Sequence, residues 1–442
     1  MARELQTWLS RIFAERRKTG RTDLEAVEMG LRSTLHHVGA SALSHLLQYA
    51  GPDPAQRKRA CPCGHIAQYV GLRSKTVITA VGPVALRRPY YLCAHCGEGQ
   101  FPIDDELDVH NTRKSPGLRR MLAVVGHEAP FERASRQMKL LAGVEITAKE
   151  VERTAEAIGQ DIAACEQPAR ERARQLDLPV IGGEAPAILY VQMDGTGVPV
   201  VKRETAGRQG KMAGQPAHTR EAKLGCVFTQ TTWDEAGYPI RDPDSTTYTG
   251  GIEPAEEFGK RVYLEAWNRG SIRAKQQVVM GDGAEWIWHL ADHHFPGALQ
   301  IVDLFHARQH LWEVARALYP NDDVQHRRWA LRQQHTLDDG KIEHLVTALR
   351  SLEPSNAELA DKIRLCADYF ETNAQRMRYP EFRRQHLFVG SGVIEAGCKT
   401  VIGSRLKQSG MFWTVRGANA ILALRCCQLN GRFEDYWEAR AA

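Results

Sequence analysis

The sequence predicts a multidomain α/β chain, and three observations predict it. From Ala187 onward, short apolar runs of β character appear: "AILYVQMD", "KLGCVFTQ", "QVVMGD" and "ALQIVD". Helical spacing separates the last two, as in an α/β layer. Before them, two close cysteine pairs, Cys61/Cys63 and Cys93/Cys96, flank a strand–turn–strand pattern around Gly82-Pro83. After them, residues 305–385 carry an almost unbroken helical period.

The bulk properties narrow the class. A chain of 442 residues allows two to four domains at about 100–200 residues each. With 43% hydrophobic and 25% charged residues, it can bury a sizeable core. The net charge of +5 excludes a uniformly basic nucleic-acid binder. Any such contact must come from local clusters: Arg57, Lys58 and Arg59; Arg113, Lys114, Arg119 and Arg120; Arg170, Arg172 and Arg174. No apolar run approaches the roughly 20 residues that cross a bilayer. The start, "MARELQTWLSRIFAERRKTG", has no continuous apolar core or small-residue cleavage site, so no signal peptide and a cytoplasmic location are expected. Without export, the paired cysteines argue for metal rather than disulfides. The other six of the ten cysteines read as scattered buried thiols.

In chain order, residues 1–58 read as helical, with a polar break near Lys18–Thr22. Residues 59–110 read as a zinc-ribbon-like β-hairpin, "KTVITAVGPVALRRPYYLC" at its centre. Cys61, Cys63, Cys93 and Cys96 are expected to hold one structural Zn²⁺ through four thiolates. Cys93-Ala-His-Cys96 has the usual knuckle spacing; Cys61-Pro-Cys63 is one residue shorter, and His65 and His95 are alternative ligands. Residues 111–178 read as helical and helix-turn-helix-like, with the turn at Ala142-Gly143-Val144 and a capping box from Thr147 to Glu150. Lys139, Lys149 and Arg153 lie near that turn and its second helix, placed to meet DNA phosphates; an amphipathic helix pair with no such role is the alternative. Pro179–Pro186 reads as a linker, residues 185–304 as the α/β domain, 305–388 as an all-helical insertion, and 389–442 as a helical C-terminal part.

The acids point to chemistry. Three β-like runs end on Asp194, Asp282 and Asp303. One such Asp is an ordinary helix cap, but several at the strand ends of an α/β sheet mark a crevice where sites form. Gathered carboxylates repel unless a cation lies between them, and oxygen-only ligands suit Mg²⁺ or Mn²⁺. Two such ions suit phosphodiester chemistry. Gly195 and Gly197 after Asp194, and Gly281 and Gly283 around Asp282, either leave room for a ligand or form turns. A further acid, Glu395 in "GSGVIEAGCK", sits just inside a helix expected from Ser391, with Lys399, Arg405 and Lys407 following. That pattern reads as a carboxylate beside a basic, DNA-facing surface, or as an ordinary solvated helix.

Long blocks carry a resemblance. "VQMDGTGVPV", "MGDGAEWIWHLADHHFPGALQIVDLFHARQHLW" and "GSGVIEAGCKTVIGSRLKQSGMFWTVRGANAILALR" resemble the ISKra group of bacterial insertion-sequence transposases. The segments "CPCGHIAQYVGLRSKTVITAVGPVALRRPYYLCAHCGEGQFPIDDEL" and "LAGVEITAKEVERTAEAIG" resemble the cysteine and helical segments of that group. The resemblance implies a ribonuclease-H-like domain whose Asp-Asp-Glu triad falls on Asp194, Asp282 and Glu395 and holds two Mg²⁺ or Mn²⁺ ions. It implies that the helical stretch before Glu395 is the insertion of mutator-like transposases. Asp303 and His306 match a secondary pair that supports the site or touches DNA, with Asp303 an alternative metal ligand. Trp413 falls in the last block, either to stack on an unpaired base or to pack in the core; Trp286, Trp288 and Trp312 read as core. The function implied is cleavage and joining of DNA at terminal inverted repeats, by a homodimer or larger assembly on transposon and target DNA. The alternatives are a metal-dependent nuclease without joining activity and a non-enzymatic zinc-containing DNA-binding protein.

Overall fold

The computed structural model describes residues 23–175, 182–210 and 215–441, and positions 6, 7, 10, 13, 14, 17 and 20 before them. The expected break at Lys18–Thr22, Gly20 apart, and the start of the expected linker at 179–181 lie outside the described residues. The chain divides into two units, Met1–Ile158 and Gly159–Ala442, so the boundary falls inside the helical region expected over 111–178.

In the first unit, helix α1 (Leu24–Leu46) starts at Asp23, whose side chain accepts from the Ala26 N–H. Strands β1 (Lys58–Ala60), β2 (Ile66–Thr79), β3 (Gly82–Cys93) and β4 (Gly99–Gln100) follow in an antiparallel sheet of the same order. The Thr79↔Gly82 pair closes the hairpin, with Gly82 at φ 113°. Alternation along β2 and β3 puts Val77, Val84 and Leu86 inside. Helices α2 (Pro102–Glu106), α3 (Pro116–Glu128) and α4 (Phe131–Gln137) come next. A π-helical turn over Met138–Ala142 then ends on Gly143 at φ 67°, before α5 (Ala148–Arg174). Leu118, Leu122, Ala134, Met138 and Val151 form the core shared by α3, α4 and the start of α5. The Thr147–Glu150 capping box forms: the Thr147 hydroxyl accepts from the Glu150 N–H at 3.3 Å, and a Glu150 oxygen accepts from the Thr147 N–H at 3.2 Å.

The second unit is built on a five-stranded mixed sheet. Its strands are β5 (Ile188–Pro199), β6 (Thr219–Gln230), β9 (Thr247–Gly251), β10 (Gln276–Gly281) and β11 (Leu299–Val302), with a small hairpin of β7 (Thr232–Trp233) and β8 (Pro239–Ile240) between β6 and β9. The order is β11-β10-β5-β6-β9. β5, β6 and β9 pair antiparallel, while β10 lies parallel to β5 and β11 parallel to β10. The parallel steps require crossovers, which α6 (Ala255–Asn268) and α7 (Glu285–His294) supply. The inner strands are buried in continuous runs, Leu189 to Met193 and Val278 to Gly281.

Helices α8 (Leu304–Leu318), α9 (Asp323–Asp338), α10 (Ile342–Arg350), α11 (Ala357–Thr372) and α12 (Tyr379–Arg384) then run without a strand between them. The chain returns to the sheet as α13 (Gly392–Gly397), a π-helical turn over Cys398–Gly403, α14 (Ser404–Leu406), α15 (Val415–Leu429) and α16 (Phe433–Ala441). Trp288 is buried, while Trp286 and Trp312 are half-buried. Among the described residues, no helix is long and apolar enough to cross a membrane.

One expectation about the strands is corrected. The run holding Asp194 does not end there: β5 continues to Pro199, paired with β6 from Asp194↔Leu224 to Pro199↔Thr219. The partner strand continues, so the ladder keeps the backbone hydrogen-bonded past the acid.

A buried charge cluster ties α2 to the hairpin. Asp104 is 4% exposed and takes Arg88 Nε at 2.5 Å and Lys75 Nζ at 2.9 Å. Burial alone would push its carboxyl up, but Arg88 and then Lys75 hold it below the usual value. Its stabilisation is therefore full above the ordinary carboxylate range and is lost as pH falls through the lower folded value. Asp104→Asn, which leaves the buried Arg88 and the half-buried Lys75 short of a partner, is expected to cost about 3–5 kcal/mol in urea unfolding at neutral pH. The gap from the parent should close as the pH is lowered below about 4.

Candidate active site

The four paired cysteines converge. Cys61 Sγ lies 3.5 Å from Cys96 Sγ, and Cys63 Sγ lies 3.7 Å from Cys93 Sγ. All four sulfurs fall within 4.8 Å of one another. A tetrahedron with metal–sulfur bonds of about 2.3 Å has sulfur–sulfur edges of about 3.8 Å, so the donor set fits a zinc ion. The short Cys61-Pro-Cys63 spacing is absorbed by a tight loop: the Gly64 N–H donates to Cys61 O at 2.9 Å, with Gly64 at φ 83°. The Cys96 N–H, and after it the His95 N–H, pull the Cys93 thiol down to about 6, against burial. His65 and His95 are exposed and stack at 3.6 Å; with Cys63 they make a second trio within 4.8 Å.

In the second unit the acids gather where β5, β10 and β11 lie side by side. Asp194 lies within β5, and its Oδ2 accepts from the Cys398 thiol at 3.3 Å. Asp282 follows β10, and its Oδ1 accepts from the Ala284 N–H at 2.9 Å. Asp303 follows β11 and caps α8, with Oδ1 accepting from the His306 N–H at 2.6 Å and Oδ2 from the Ser391 N–H. Glu395, on α13, accepts from the Ser391 hydroxyl at 3.2 Å. Ligand atoms of Asp303, His306 and Glu395 lie within 4.8 Å of one another; among the described residues, Asp194, Asp282 and Glu395 do not converge as a trio to that distance. The secondary pair is thus the one brought directly to Glu395.

The acids act on one another's charge. Burial, and with it the charge of Asp282, pushes the Asp194 carboxyl up, against the Cys398 and Gly195 donors. His306 is raised to about 8, first by Asp303, 3.3 Å away, with the charges of Asp282 and Glu395 adding to it. Burial would raise Asp303, but the donors on His306 and Ser391 hold it down. A partly desolvated carboxylate whose ionisation is opposed by burial and by another acid is an arrangement that a divalent cation relieves. Carboxylate oxygens are the donor type such a cation takes, and Asp303, fully buried, has both of its oxygens engaged by backbone donors.

The glycines beside the acids lie against the protein's own side chains, most tightly at Gly281 and Gly283. A Cβ on Gly195 would stand 2.5 Å from Glu221 Oε1, and one on Gly281 would stand 2.6 Å from Ile287 Cδ1. Gly283, at φ 105°, would meet the Tyr369 ring at 2.5 Å. The space they leave is filled by the protein's own side chains.

The expected basic face is also corrected. Lys399 and Lys407 are exposed, and Lys407 Nζ donates to the Thr196 hydroxyl at 2.8 Å. Arg405, however, is fully buried, with its guanidinium 4.9 Å from the Trp413 ring centre. Trp413 is 6% exposed, and its indole N–H donates to Leu406 O at 3.1 Å. It packs in the core and presents no free ring face to a base. The π-helical turn over Cys398–Gly403 offsets the helical phase, which carries Arg405 inward. In the first unit, Lys139 pairs with Glu145 at 2.6 Å and Lys149 with Glu152 at 2.7 Å, while Arg153 is exposed.

Three site neighbours escaped the sequence reading. Cys398 lies three residues after Glu395 and Ser391 four before it, and helical spacing would have found both. Tyr369 donates its hydroxyl to Asp282 O at 2.9 Å from far along the chain, and nothing local marks it.

No family model matches the chain, and no curated protein matches it. Among solved structures, a Drosophila P element transposase strand transfer complex matches at 12% identity and a TM-score of 0.23, over 73% of this chain and 80% of that one. A likeness of this size assigns neither fold nor function.

The cysteine geometry makes its own prediction. Elemental analysis should find one zinc per chain, lost in the Cys93→Ser/Cys96→Ser double variant. A metal-free parent protein would overturn the zinc assignment.

Proposed function

We propose that this chain is a DNA transposase of the Asp-Asp-Glu type, with a ribonuclease-H-like catalytic domain, that cleaves and joins DNA at the terminal inverted repeats of an insertion sequence. One observation carries the reading: Asp194 lies on β5 while Asp282 and Asp303 follow the adjacent strands β10 and β11 of one mixed sheet, and ligand atoms of Asp303, His306 and Glu395 come within 4.8 Å of one another. The sequence blocks that resemble ISKra transposases contain these same acids. The helices α8–α12, inserted between β11 and the helix bearing Glu395, support the same reading.

In this proposal Asp194, Asp282 and Glu395 hold two Mg²⁺ or Mn²⁺ ions. When bound, these supply Lewis-acid stabilisation of the oxygens that attack and leave phosphorus. Asp303 orients the site: its two oxygens tie the start of α8 to Ser391, and Ser391 in turn holds Glu395. His306, raised by its acidic neighbours, offers a positive group to a phosphate oxygen. Lys399, in the π-helical turn after α13, and Lys407, just after α14, are exposed and meet the DNA backbone in this proposal. Water first opens a phosphodiester at each element end and leaves a 3′-hydroxyl. That hydroxyl then attacks a target phosphodiester, forming one bond as the other breaks, so joining needs no outside energy source. The cysteine module and helices α4–α5 are assigned to reading the terminal repeats, and pairing of two ends calls for at least a dimer.

A duplex carrying the DNA that flanks the coding sequence, incubated with Mg²⁺, tests the proposal. Asp282→Asn should lower both strand cleavage and strand transfer by about 100-fold or more without loss of folding. Undiminished transfer would sink the assignment, and cleavage without any joining by the parent protein would favour a nuclease.

A further inference from the structure

Two tyrosines of the helical segment α8–α12 reach strand ends of the sheet, Tyr379 buried and Tyr369 half-buried. Tyr369, on α11, donates its hydroxyl to the backbone carbonyl of Asp282 at 2.9 Å. Tyr379, at the start of α12, donates to the carbonyl of Val302, the residue before Asp303, at 3.1 Å. Each contact falls at the end of one of the two adjacent parallel strands, β10 and β11, where its acid begins. Both carbonyls lie beyond or at the last paired residues of those strands, so the hydroxyls satisfy acceptors where the ladder runs out. Tyr369 also fills the space above Gly283, whose φ of 105° and missing Cβ admit the ring. Tyr379 is fully buried, and burial drives both phenols far up, so each keeps the proton it donates.

We infer that Tyr369 and Tyr379 are positioning residues through which the helical segment sets the placement of Asp282 and Asp303. Tyr369 acts on the Asp282 loop by fixing the peptide that follows the strand, while the Asp282 side chain remains free toward its ligand except for the Ala284 N–H. Tyr379 acts one residue before Asp303 and so on the Asp303–Ser391–Glu395 chain of hydrogen bonds. The helical segment thereby does more than extend the surface: its packing is read out at two strand ends. This inference rests on the proposed cation-binding role of Asp282.

The test uses the full-length protein without DNA. Tyr369→Phe keeps the ring and removes only the hydroxyl. Mn²⁺ titration by calorimetry should show about 10-fold weaker binding than the parent, the usual size of a lost outer-shell support. Hydrogen exchange should rise at Gly283–Ala284, and the melting temperature should change little. Tyr379→Phe should raise exchange at Asp303–Leu304 instead. Unchanged Mn²⁺ affinity in Tyr369→Phe, or unchanged exchange in both variants, would overturn the inference. Asp282→Asn separates the two levels: if it binds Mn²⁺ as the parent does, the cation-site reading fails, whereas if it loses binding and Tyr369→Phe does not, only the positioning role fails.

Discussion

The second unit depends on a cost that folding imposes: several carboxylates brought out of water and toward one another. Asp194 shows it most directly, since burial and the charge of Asp282 both resist its ionisation. Such a cluster persists only if surrounding structure holds it. Here the hold comes from backbone and side-chain donors, the Ala284, His306 and Ser391 N–H groups and the Cys398 thiol, and from the positive His306. The sheet makes this possible because β5, β10 and β11 are neighbours, so acids far apart in sequence arrive within reach without any long-range search by side chains.

That constraint explains the details around the acids. Asp303 spends both oxygens on the backbone, which makes it a tie between α8 and the start of α13. Glycines beside the acids let Glu221, Ile287 and Tyr369 close against the backbone. A stiff surround is what a site needs when its charged groups would otherwise push apart. The same economy appears at Arg405, which looks like a surface group in sequence but packs against the buried Trp413 ring.

The first unit solves a different problem. The core beside its cysteines is small: Cys61, Ala67, Tyr91 and Cys93, with Tyr69 packed against them. A cluster of that size supplies little hydrophobic stabilisation, and the four thiols beside it lie within 4.8 Å of one another, a donor set that fits the metal staple small units use. Further along the hairpin, the buried Arg88–Asp104–Lys75 cluster replaces apolar packing with a closed set of charges. The pairing of β2 with β3 sets Lys75 and Arg88 side by side for Asp104 of α2 and brings the segments carrying the two cysteine pairs together at the hairpin's open end.

Local chemistry determined much of this protein from its sequence alone. The strand over Val278–Met280, the hairpin around Gly82-Pro83, the capping box at Thr147–Glu150 and the cysteine pairs all depend on neighbours within a few residues, so they are legible in order. The acids were legible as candidates because apolar runs ended on or near them. Tertiary structure decided the rest. Pairing with β6 carried β5 past Asp194, and a π-helical turn set the phase that buried Arg405. Contacts between residues far apart in the chain put Tyr369 on Asp282, Cys398 on Asp194 and Ser391 on Asp303. The physical reason is range: capping, turn geometry and hydrophobic period act over one or two turns of chain, whereas burial and hydrogen-bond partners depend on which distant segments the sheet brings together.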